Sequence, residues 1–85
     1  MKADVIKQKK PPKAVTTYMA EFDETEESVR EYILNQIRFY NEIEDKGGST
    51  VERWIGFKMG CTAAAAMTAI RWAESRTDSQ ASGRR

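Results

Sequence analysis

Histidine is absent from this chain of 85 residues, cysteine occurs once and proline twice. Without an imidazole there is no histidine general acid or base, no Ser-His-Asp or Cys-His nucleophile, and almost no route to a zinc site. The lone Cys61 forbids an internal disulfide, which points to a reducing compartment. No apolar run reaches the ~20 residues of a membrane span. The Lys-rich start lacks the apolar core of a signal peptide. Charge of one sign is missing as well: 14 Lys and Arg face 13 Asp and Glu, for a net charge of +1. These absences predict a cytoplasmic, non-enzymatic protein with no cofactor, no metal and no membrane partner.

What is present predicts a small globular domain. Apolar residues make up 40% of the chain and charged residues 32%. A chain of this size buries only about 60% of its unfolded surface, so self-association is expected from the outset. Charge is segregated along the sequence. Residues 1–13 carry Lys2, Lys7, Lys9, Lys10 and Lys13 against Asp4, and read as a flexible basic arm. Residues 21–31 carry Glu21, Asp23, Glu24, Glu26, Glu27 and Glu31 against Arg30. Residues 76–85 are almost wholly polar and read as a disordered tail. The domain is therefore expected over 14–75.

Within it, Ala14–Phe22 is β-branched and aromatic, and alternates weakly, so an extended segment or short strand is expected there. Asp23 with Glu26 has capping-box spacing, with Thr25 as the competing cap. Val29, Ile33, Ile37, Tyr40 and Ile43 then recur at three- and four-residue steps. They predict a helix over about 24–46, closed by Gly47-Gly48. Ser49 with Glu52 opens a second helix over 50–75, with Val51, Ile55, Met59, Ala66, Ala69, Ile70 and Ala73 on one face. The predicted fold is an all-α antiparallel helical hairpin with an extended N-terminal segment. The opposite side of the second helix carries Gly56, Gly60, Ala64 and Met67, with Phe57 nearby. Two glycines four residues apart in a helix interior each cost about 1 kcal/mol, which suggests close approach of another helix. These four residues are the expected interface of a homo-oligomer.

Candidate chemistry is sparse. Glu26, Glu27, Glu31, Glu42 and Asp45 partly resemble the magnesium-binding helices of all-α nucleotide pyrophosphohydrolases. The EExxE pattern fails, however, because Arg30 stands where its last carboxylate belongs. Cys61 reads as a packing residue. The basic arm supports a DNA-binding reading in the manner of ribbon-helix-helix repressors. Lys9, Lys10 and Lys13 would meet phosphates there, and Thr16 and Tyr18 would meet bases. A third reading is an inhibitor that binds a host protein through an apolar face of the second helix.

The more specific likeness lies in the helices. Arg53-Trp54, then Met67-Thr68-Ala69-Ile70-Arg71, with Asn35-Gln36-Ile37-Arg38 on the first helix, resembles a family of small phage proteins. These are the helical-hairpin cyclic-oligonucleotide sponges of the anti-CBASS type, which counter cyclic-oligonucleotide-based bacterial immunity. The resemblance implies a symmetric oligomer in the host-cell cytoplasm that captures a cyclic nucleotide between subunits and catalyses nothing. Such a ligand needs cations for its phosphates and flat faces for its bases. Arg38, Lys58 and Arg71 are the candidate phosphate contacts and Tyr18 the candidate stacking face, each presented twice by a dimer axis.

Overall fold

A computed structural model describes residues 10–83, with side chains described through Ser75. The lysines of the arm before Lys10 lie outside the described residues. The fold is all-α: α1 (Lys13–Phe22), α2 (Glu26–Glu42), α3 (Val51–Met59) and α4 (Ala63–Gly83). The described residues contain no strand.

The first correction concerns residues 14–22, which form helix α1 and not an extended segment. Val15, Tyr18, Met19 and Phe22 fall at helical spacing. That pattern wins because it places Val15 fully in the core and lets Tyr18 and Met19 pack against it. Pro12 starts the helix without belonging to it. Its backbone is extended, and its carbonyl accepts from the Val15 and Thr16 amides at 2.9 and 3.0 Å. With this segment helical, the described residues contain no strand of the kind that ribbon-helix-helix repressors pair between subunits, and that reading is not carried forward.

Helix α2 begins one cap later than the Asp23–Glu26 pairing suggests. Thr25 accepts from the Ser28 amide at 3.1 Å, while the Ser28 hydroxyl accepts from the Thr25 amide at 3.0 Å. Asp23 instead closes α1 in the left-handed conformation, φ 55°. The helix ends at Glu42, short of the expected 46, where Ile43 turns extended. The chain returns through Gly47 and Gly48, both at positive φ. Thr50, and not Ser49, caps α3 by accepting from the Arg53 amide at 3.2 Å.

The second correction is larger. The single rod expected over 50–75 is two helices, broken at Gly60–Thr62. Gly60 adopts φ 75° and caps α3, and Thr62 caps α4 by accepting from the Ala65 amide at 3.1 Å. Helix α4 then continues to Gly83, past the expected end at 75. The bend lets α2 pack against both α3 and α4, while α1 crosses α2 and α4.

The core contains the residues whose spacing predicts it: Val29, Ile33, Ile55, Met59, Ala66, Ala69, Ile70 and Ala73. Val15 and Trp72 join them. Each fully buried Val or Ile contributes about 1.5–3 kcal/mol. Arg30 also faces inward at 8% exposure and pairs with Glu27 on its own helix.

Candidate functional site

Each of the four helices holds one of the four residues expected to bind ligand, and they do not converge on one cavity. Tyr18 lies half-buried on α1 with its ring centroid 4.6 Å from Phe22 and 5.6 Å from Tyr32; the two tyrosines stack at 20°. It lines a groove of about 280 Å³ with Glu24, Ser28, Val29, Glu31, Tyr32 and Asn35. On its other side it lines a second, more apolar groove with Lys13, Glu21, Met59 and Cys61 among its walls. Neither groove contains Arg38, Lys58 or Arg71. Burial, then the charge and hydrogen bond of Tyr32, then Glu24, push the Tyr18 phenol above its ordinary value of 10.0. Burial thus keeps the Tyr18 phenol neutral, and the groove beside it carries Glu24 and Glu31 but no cation for a phosphate.

The cations are placed differently. Lys58 sits one helical turn after Trp54, and its ammonium lies 4.7 Å from the centre of the indole ring. That ring is fixed in place by two contacts. Its Nε1 donates to Gln36 Oε1 at 3.2 Å, and Tyr40 packs against it at 6.1 Å and 52°. Tyr40 is anchored in turn by donating its hydroxyl proton to the Ser49 carbonyl at 2.6 Å, and Lys46 lies 5.1 Å from its ring centre. Trp54 packs against the core and also presents an aromatic face with a cation over it. Arg38 and Arg71 are exposed, and neither forms an ion pair within the described residues.

The four residues expected at a subunit interface divide into two kinds. Gly56 is buried against its own chain: a Cβ built there would lie 2.7 Å from the Cys61 carbonyl oxygen and 3.2 Å from that of Thr62. Gly60 is a helix cap. The close approach at Gly56 is therefore intramolecular and Gly56 is withdrawn from the interface, whereas Gly60 is exposed with open space beside it. Ala64 and Met67 remain exposed, and Phe57 is 82% exposed on α3. Cys61 is half-buried in the bend, where desolvation raises its thiol above the ordinary value and keeps it protonated near neutral pH.

No family model, curated protein or solved structure matches this chain. Any reading of its function stands on the chemistry of these surfaces. Among the described residues no three cysteine or carboxylate side chains gather into a metal cage, and no helix is long and apolar enough to cross a membrane.

Proposed function

We propose that the protein is a non-catalytic binder of a nucleotide messenger, of the phage anti-defence kind that its helix motifs resemble. The observation that supports this reading is Lys58 over Trp54. An indole face and a mobile ammonium are the two groups that a base and its phosphate require. The indole is held in place by Gln36 and Tyr40, and Lys58 lies over it. In the bound state the base takes the ring face and Lys58 swings to the adjoining phosphate, exchanging one cation–π contact for a charge-assisted hydrogen bond. Lys46 is the poorer phosphate contact, because Glu44 and Asp45 precede it in the same turn. Arg38 and Arg71, exposed and outside ion pairs among the described residues, supply further positive charge. In this reading Trp54 replaces Tyr18 as the stacking face.

The reading keeps a homo-oligomer, with Gly60, Ala64 and Met67 at the contact, Phe57 added and the buried Gly56 left out. A cyclic oligonucleotide, symmetric and carrying several phosphates, is the ligand that two copies of such a surface suit.

The test is a melting series with cyclic di- and trinucleotides. At a hundredfold excess over the dissociation constant the ligand adds about 2.7 kcal/mol, which for a domain of this size raises the melting temperature by about 10–20 °C. Lys58→Ala is expected to remove most of that shift and to weaken binding by about tenfold or more. If none of these ligands moves the melting temperature or the emission of Trp54, the proposal fails.

A further inference from the structure

The groove between α1 and α2 has the opposite character to the Trp54 face. Its walls are Tyr18, Glu24, Ser28, Val29, Glu31, Tyr32 and Asn35, with two carboxylates and no lysine or arginine. We infer that this groove is a receptor for a single arginine side chain presented by a partner polypeptide. The inference goes beyond the nucleotide reading and does not depend on it.

Several observations converge. The tyrosines stack on one another at 5.6 Å and 20°, so both π-systems reach the groove as one fixed aromatic wall. Phe22 backs Tyr18 at 4.6 Å and holds its ring in place. A tyrosine face attracts a cation through the ring quadrupole. The acceptors are also preset. One oxygen of Glu24 is held by the Ser28 hydroxyl at 2.6 Å, and that hydroxyl belongs to the cap of α2, so the carboxylate is tied to a helix end. Glu31, one to two turns further along α2, is exposed and makes no ion pair within the described residues. Asn35 extends the same face by one more turn and adds an amide carbonyl.

The groove, about 280 Å³ and open to solvent, has room for one side chain. Among cations the guanidinium matches best. It is planar, which suits the tyrosine wall, and its five donors can reach two carboxylates and an amide at once. An ammonium offers a point charge with three donors. An anion is disfavoured, since the Glu24 and Glu31 carboxylates repel it.

The experiment is an NMR titration of the intact chain, following the ring signals of Tyr18 and Tyr32. Three blocked tripeptides serve as probes, with arginine, citrulline or lysine between glycines. The arginine peptide is expected to shift both rings saturably. The citrulline peptide, equal in shape but neutral, is expected to bind about tenfold more weakly. Lysine should fall between them. Glu31→Gln, at an exposed position that does not threaten folding, is expected to weaken the arginine peptide several-fold and to leave citrulline unchanged. Equal binding by citrulline, equal binding by lysine, an unaffected Glu31→Gln, or ring signals that ignore the arginine peptide would each overturn the assignment. Nucleotide binding at Trp54 is read with different ligands and a different variant, Lys58→Ala, so the failure of one proposal does not carry the other with it.

Discussion

The two bends, Asp23–Thr25 and Gly60–Thr62, are one device written in two spellings. In each, a helix ends on a left-handed residue, Asp23 at φ 55° or Gly60 at φ 75°. In each, the amide of that residue reaches the carbonyl four positions back, and the next amide reaches the same carbonyl at 2.9 Å. A threonine then caps the following helix, Thr25 or Thr62. The bends differ at the shared acceptor. In the first bend it is Met19, which carries a full side chain into the packing around the core; in the second it is Gly56, which has no room for one. The hydrogen bonds fix the reversal of the chain, and the acceptor residue shows how tightly the two helices then close.

The largest effect should come from filling that gap. Gly56→Ala places a methyl carbon 2.7 Å from a backbone oxygen that cannot move without opening the bend. Overpacking of this sort costs about 1–3 kcal/mol, and the gain in helix propensity from glycine to alanine returns no more than about 1. Thermal unfolding is expected to fall by roughly 5–10 °C. A variant that melts like the parent would mean that α3 and α4 do not close as tightly as described. Next come the caps. Thr25→Ala and Thr62→Ala should each lose about 1 kcal/mol in a urea titration. Thr25 should lose slightly more, because Ser28 answers it reciprocally. A neutral result at either threonine would show that the two bends are not equivalent. The smallest effect has the opposite sign. Asp23→Gly relieves a left-handed aspartate and should stabilise by about 0.5 kcal/mol, a gain offset in part by the freer unfolded chain. If it destabilises, the carboxylate has a role at 23 beyond tolerating its backbone.

Much of this architecture can be read from spacing. The α2 stripe led by Val29 and Ile33, and the second stripe of Ile55, Met59, Ala66, Ala69, Ile70 and Ala73, form the core that their periodicity predicts. The bends were harder to read, for a physical reason. Asp23 and Thr25 are both good helix starters, and what separates them is a left-handed φ that sequence does not display. Gly56 and Gly60 share a four-residue spacing that resembles a helix-crossing face, yet one is packed against its own chain and the other ends its helix. The spacing from Gly60 through Thr62 to Ala65, a left-handed residue and then a capping threonine, was the signal for the break. Ala14–Phe22 misled because three β-branched residues outweighed the helical set Val15, Tyr18, Met19 and Phe22. At the candidate sites, the exposure of Arg38 and Arg71 follows from their helix positions. The company each aromatic keeps does not. Whether Tyr18 meets carboxylates or cations depends on which helix crosses it, and only the tertiary packing decides that.

The left-handed turn at Asp23 also bears on how such a chain could change over time. Since one bend is closed by an aspartate, glycine is only one of the residues that can close the other. Asparagine at position 60 would serve the same turn. Position 56 alone is barred to any larger residue. A descendant could therefore drop the more conspicuous of its paired glycines and keep every helix in place, and a search keyed to that pair would pass it by.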